Sequence, residues 1–139
     1  MTEKVIIFTN DNGGVAVCIP SGELPIEQVQ AKDIPAGVQS YIVDKTSLPL
    51  EDNDFFDAWE QTGGVITVNI SKAKELTKAR LRSEREPLLA AQDVLFQRAL
   101  ESGGDTTAIV AEKNRLRDIT VLVDAETTLA GLRSIGVQQ

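Results

Sequence analysis

At 139 residues, 42% of them hydrophobic, the chain has the length of one domain or of a small domain with an appendage, and too much apolar content for wholesale disorder. Its net charge of −7 is unevenly held: residues 1–69 carry 11 acidic and 3 basic side chains, and residues 70–139 carry 10 and 11. The acidic first half would be repelled by phosphate, which argues against non-specific nucleic-acid or anionic-membrane binding, and the lack of any histidine removes the commonest general base and the commonest metal ligand together.

The run MTEKVIIFTND holds only four consecutive apolar residues. That is too short for a signal peptide or a membrane span, so the chain is expected to stay in the cytosol where it is made. KVIIFT (4–9) and VAVCI (15–19) are β-branched runs around NDNGG, and Asn12-Gly13 predicts a hairpin with a type I′ turn. A phosphate loop is the rival reading of those glycines. It lacks the required spacing and the Lys-Ser/Thr pair, and a strand follows rather than a helix. Cys18 is the single cysteine, so no intrachain disulfide can form, and its strand-like surroundings predict a small buried hydrophobe rather than a nucleophile.

LPIEQVQAKDIPAG predicts a short helix with Pro25 in its first turn, Ile26, Val29 and Ile34 on one side, and Pro35 and Gly37 as the stop. QSYIVD (39–44) alternates as a strand. In SLPLEDNDFFDAWE a short helix should carry Phe55, Phe56 and Trp59 on one side to cover a sheet. The acidic run invites a calcium reading, but the glycine of an EF-hand loop is missing, and Asp52 or Asn53 capping the helix accounts for the charges. GGVITVNI (63–70) alternates with period two. The first half is therefore expected to hold four antiparallel strands and two short helices around Ile6, Phe8, Val17, Ile42, Phe56, Trp59 and Val68.

From Ser71, read as an N-cap, the pattern turns helical for about 30 residues, or roughly 45 Å at 1.5 Å per residue. Leu81, Leu88 and Leu95 recur one heptad apart, with Leu89, Phe96, Ala99 and Leu100 widening the stripe. Pro87 sits inside it. Either one helix ends near Ser83 or Glu84 and another begins at Pro87, or a single helix passes through with a kink, which the unbroken 81–88–95 spacing favours. Gly103-Gly104 should end this helix, and Asp105 should cap the next, TTAIVAEKNRLRDITVLVD, whose Ile109, Leu116, Ile119 and Val123 form a narrower seam. A short terminal helix carries Leu129, Leu132 and Ile135. The expected architecture is α+β: an N-terminal head with a small antiparallel sheet over 1–69, then a helical arm over 70–139 made of a long-helix antiparallel hairpin and a short C-terminal helix.

Lys72 to Glu86 is rich in Lys and Arg and mostly polar all round, which suits contact with acidic surfaces, the chain's own first half among them. Beyond it, the leucine stripe is wider than one facing helix can bury. Arg80, Leu81, Arg82, Arg85, Leu88, Leu95 and Phe96 are accordingly the candidate protein-interface residues, with the arginines as a rim that sets register. Self-association is the simplest expectation. No catalytic, cofactor-binding or metal-ligating residues are singled out.

Two stretches resemble known proteins. AKDIPAGVQSYIVD followed by FFDAWE resembles small proteins of tailed bacteriophages and prophages. KAKELTKARLRSEREPLLAAQDVLFQRALESGGD with AEKNRLRDIT resembles the helical C-terminal segment common in phage tail and tail-fibre assembly proteins. Together the likenesses span roughly residues 26–135. They imply a virion component or assembly factor without enzymatic activity, met in the virion and, during assembly, in the host cytoplasm. Its partners would be other tail or tail-fibre proteins, with no nucleic acid and no membrane, and it needs no cofactor. Two functions follow from the likeness: a structural part retained in the particle, or a chaperone that holds tail or fibre protein transiently.

Overall fold

In the computed structural model, which describes residues 3–138, strands β1 (Lys4–Thr9) and β2 (Val15–Cys18) pair antiparallel with Thr9 opposite Val15. The hairpin is as expected; its turn is not type I′. That turn needs positive φ at both central residues, and in this loop only Gly13 has it, at +83°. Asn10 N donates to Gly14 O and Gly13 N donates to Asn10 O, closing a three-residue loop whose last residue is the left-handed glycine. The Asn10 side chain decides the outcome. Its Oδ1 accepts from Asn12 N at 2.9 Å and Gly14 N at 3.0 Å, an Asx clamp stronger than the preference of the Asn-Gly pair.

Strand β3 (Ser40–Asp44) flanks β1 on its other edge, giving an antiparallel sheet in the order β2-β1-β3. Val5, Ile6 and Ile7 are all buried, so the central strand is covered on both faces and reads as a continuous apolar run. Val5, Ile7, Val15, Leu48 and Trp59 form one core, with Val17, Tyr41, Val43, Phe56, Ile66 and Val68 packed against it. Ile6, Phe8 and Ile42, expected in that same core, point to the opposite face, because Ile6 pairs with Ile42 one residue out of phase with Ile7. Helix α1 (Ile26–Asp33) lies against β1, burying Val29. Cys18 is only half-buried.

Leu50–Ala58 forms 3-10 turns rather than an α-helix, with Asp52 and Phe55 outside helical φ/ψ. Its N-cap is Pro49 and no side chain caps it, so the capping role expected of Asp52 or Asn53 is not realised. The last aromatic of the group opens a strand that the sequence pattern did not reveal. Trp59 begins β4 (Trp59–Thr62), which pairs with β5 (Val65–Val68), making five strands among the described residues rather than four. Gly63 and Gly64 join them at φ +61° and +85°, the positive pair a type I′ turn requires. Trp59 is 1% exposed, lies 4.9 Å from the Phe56 ring, and donates its indole N–H to Asp52 O at 3.2 Å. A buried ring with its one donor satisfied is a core residue.

Helix α2 (Ile70–Ser102) starts two residues earlier than a Ser71 cap would give. Asn69 is the cap: its Oδ1 accepts from Lys72 N at 3.1 Å. The chain divides inside the first turn of α2, into Met1–Ala73 and Lys74–Gln139. α2 is unbroken at Pro87. Both Pro87 and Ser83, whose carbonyl loses its partner to the proline, are exposed, so water can take that carbonyl and the cost stays small enough for one helix to persist. Gly103 at φ +72° ends it. Gly104 N donates to Ala99 O and Gly103 N to Leu100 O, the two bonds of a Schellman motif.

Asp105 then takes Thr107 N and the Thr107 hydroxyl on one oxygen, at 2.9 and 2.7 Å, which holds its carboxyl below the usual range. The helix after it is shorter than expected. α3 (Thr107–Asp118) gives way at Ile119-Thr120 to tight turns, with Leu122 N donating to Ile119 O and Val123 N to Thr120 O, and then to α4 (Val121–Ala125). α5 (Leu129–Ser134) follows, capped by Thr128 Oγ1 accepting from Gly131 N. Leu81, Leu116, Ile119, Val123, Leu132, Ile135 and Val137 are the buried apolar residues of this second unit.

Candidate interaction surface

The basic first half of α2 is turned inward on its own unit. Arg80 Nη2 donates to Ile135 O at 2.7 Å and to Leu132 O at 3.4 Å, at the C-terminal end of α5, while its Nη1 pairs with Glu84 at 3.0 Å. Arg85 Nη1 donates to Arg117 O at 2.8 Å and Leu116 O at 3.3 Å, at the end of α3. Lys74 reaches Asp124 O, and Lys78 pairs with the Asp124 carboxylate at 2.8 Å, at the end of α4. Each of these three helices leaves its last carbonyls without intrahelical donors and carries partial negative charge there. The side chains spaced along α2 supply the missing donors. Arg115, on α3, donates to Val137 O at 2.9 Å, in the segment that follows α5.

The electrostatics follow the geometry. The hydrogen bond from Lys78 holds the Asp124 carboxyl low, and the same bond holds the Lys78 ammonium above its ordinary value. Arg115 lowers Glu112 by hydrogen bonding and is raised in return. In the first unit Glu60 is lowered, first by the hydrogen bond from Lys72 and then by that from Asn69.

The seven candidate interface residues therefore separate. Leu81 is fully buried in its own unit and offers no surface. Arg80 and Arg85 are engaged with backbone of the same chain, so they brace the unit instead of rimming an external contact. Arg82 is exposed. Leu88 and Phe96 are half-buried, with the Lys113 ammonium 4.9 Å over the Phe96 ring and 2.7 Å from Asp93. Leu95 is 44% exposed, and Val94, Leu100 and Val110 nearby are exposed as well. A straight α-helix drifts by about 20° for every heptad repeat, so a strict heptad that begins inside at Leu81 has turned outward by Leu95. The half-buried positions over the same stretch include Arg85, Leu89, Gln92, Phe96 and Ala99, of which Arg85 and Phe96 meet α3.

What the sequence pattern missed is the strip this drift leaves on the flank of α2: Pro87, Leu88, Ala91, Val94 and Leu95, bounded by Glu84 and Arg98. Its near end borders a groove of about 530 Å³ lined by Arg80, Glu84, Pro87 and Leu88 on one side and by Arg133 to Gln138 on the other. Summing 100° per residue rather than counting sevens would have found it. A second hollow, about 290 Å³, lies in the first unit beside Asn10, Asn12, Phe56, Asp57 and Lys72. Among the described residues no group of three His, Cys, Asp or Glu side chains is placed to hold a metal ion, and no helix is long and apolar enough to cross a membrane. Compared with protein-family models, curated proteins and solved structures, the chain matches none of them.

Proposed function

We propose that this protein is a non-enzymatic component of the tail or tail-fibre apparatus of a tailed bacteriophage, acting through protein contacts and retained in the virion after assembly in the host cytoplasm. The observation that carries the contact role is the outward apolar strip on α2. Val94 at 50% and Leu95 at 44% exposure stand on the distal half of a helix whose proximal half sends Arg80 and Arg85 to backbone carbonyls of its own unit. Exposed apolar side chains grouped on one helix flank, next to a half-open groove, suit recognition of another protein surface. The assignment to phage tails rests on the likeness of residues 72–105 and 111–120 to tail and tail-fibre assembly proteins, joined by that of residues 31–44 and 55–60 to small proteins of tailed phages. Quantitative mass spectrometry of purified particles tests it. A fixed number of copies per particle supports the reading, and absence from particles overturns it. Absence together with misfolded fibres on deletion would identify a transient assembly chaperone instead.

A further inference from the structure

Read from either end, the strip on α2 keeps its apolar pattern and exchanges the sign of its terminal charges. One heptad before Ala91 stands Glu84 and one heptad after it stands Arg98; Pro87 and Leu95 lie four residues to either side, and Leu88 and Val94 three. At 100° per residue all seven fall on one flank of the helix. The sequence is thus palindromic in character: acid, apolar pair, small residue, apolar pair, base. Two helices meeting antiparallel about a two-fold axis at Ala91 would bring unlike charges together twice and put apolar residues opposite apolar ones.

We propose that α2 forms a two-fold antiparallel contact with α2 of a second copy of this chain, centred on Ala91. This rests on reading the strip as a contact surface, and it adds the occupant and the register. Ala91 is exposed and small, so it lets the two backbones approach to the short end of the usual 8–10 Å interaxial range. Arg98 makes no ion pair among the described residues, and the Glu84 side chain stays 39% exposed while paired with Arg80. The contact gives Arg98 its partner. Leu95 of the second copy comes opposite Pro87, at the mouth of the groove that Pro87, Leu88, Ile135 and Val137 line, and fills it as a knob fills a hole. A self-complementary patch of this kind closes at two subunits and leaves no unpaired half to propagate.

The pattern makes a test by charge exchange and by cross-linking. Sedimentation equilibrium on the full chain should find a dimer, and Arg98→Glu, which sets like charges face to face twice, should weaken it by at least about tenfold. Combining Glu84→Arg with Arg98→Glu in one chain should restore association. Glu84 also braces Arg80, so circular dichroism melts accompany each variant, and Ala91→Glu serves as the variant that leaves Arg80 and Glu84 alone. It places a carboxylate against its own copy on the axis and should give a folded monomer. In a Cys18→Ser background, Ala91→Cys should cross-link to itself, while Ala90→Cys, on another face, should not. A wild-type monomer, or a dimer indifferent to Arg98 and Ala91, overturns the proposal. A monomer found in particles overturns it and leaves the phage reading standing; a dimer with the charge-exchange signature that is missing from particles supports it and removes the reading as a retained virion component.

Discussion

The two units of this chain are held by different means. The first, Met1–Ala73, is organised by non-local strand pairing around one buried tryptophan. The second, Lys74–Gln139, is organised by a single long helix whose cationic side chains grip the ends of three short ones. In the first, polar groups are mostly satisfied within strands and turns, and burial of Trp59, Val5 and Ile7 supplies the driving force. In the second, the buried apolar residues are aliphatic, led by Leu81, Leu116 and Leu132, and the carbonyl ends of the short helices are closed by Arg and Lys. A short helix lacks the length to be stable alone, so tertiary contacts must hold it. Here those contacts act on its backbone as much as on its side chains.

The largest effect should come from the first unit's buried tryptophan. Trp59→Ala should cost about 3–5 kcal/mol, because it removes the biggest buried side chain and leaves a cavity among Val5, Ile7, Leu48 and Val15. Hydrogen exchange should show protection lost across residues 1–73 and kept over 74–139. Equal loss in both segments would mean that the two units do not differ in the way described. Leu81→Ala is the counterpart. It should cost about 2–4 kcal/mol and deprotect α3, α4 and α5 while β1 to β3 hold.

Arg85→Ala sharpens the comparison further. It removes no core volume but leaves the carbonyls of Leu116 and Arg117 without their charged donor, for a loss of about 1–2 kcal/mol, and Arg80→Ala should match it at α5. Exchange should quicken in the last turn of α3 for the first and of α5 for the second. If Arg85→Ala is silent, the side chain is ornamental and packing alone orders the unit.

Acid should have the smallest effect. Asp124, Glu112 and Asp105, all in the second unit, have lowered pKa values, so each binds fewer protons folded than unfolded at the same mildly acidic pH. Their contribution is complete above the ordinary carboxylate range of about 4 and is lost as pH falls through the lowered values. Lys78 is shifted the other way, and its contribution is present below its ordinary value and lost as pH rises through the raised one. A melting temperature in the second unit that is unchanged on moving from neutral to pH about 3 at low salt, where screening is weakest, would contradict this.

Much of the fold was legible from residue patterns. The β1–β2 hairpin, α1, β3, β5, the passage of α2 through Pro87 and the glycine stop at Gly103 all follow from local preferences acting as usual. Trp59 misled because an i, i+1, i+4 aromatic spacing also fits a 3-10 segment running into a strand, and Gly63-Gly64 reads as the start of a strand until a partner exists before it. Asn12-Gly13 misled because the choice lay with a side chain outside the pair, that of Asn10. Of the interface residues, Leu88 and Leu95 stand on the strip, while Leu81, Arg80 and Arg85 turned out to be engaged within their own unit. Periodicity locates apolar faces. It carries no sign of a guanidinium bound to a carbonyl 31 to 55 residues away, because the acceptor is backbone and belongs to no particular residue type.

That separation along the chain sets an order of events at the ribosome. Leu132 and Ile135, whose carbonyls Arg80 holds, are made 52 and 55 residues after it. At roughly 5–20 residues per second, α2 waits some 3–11 seconds for the acceptors that order its first half. Through that interval Leu81 and Leu88 are on view together with Leu95, and a nascent α2 offers its widest apolar face before its own unit closes over part of it. Proteolysis of stalled nascent chains should find α2 open to cleavage until Ile135 has left the exit tunnel, and closed soon after.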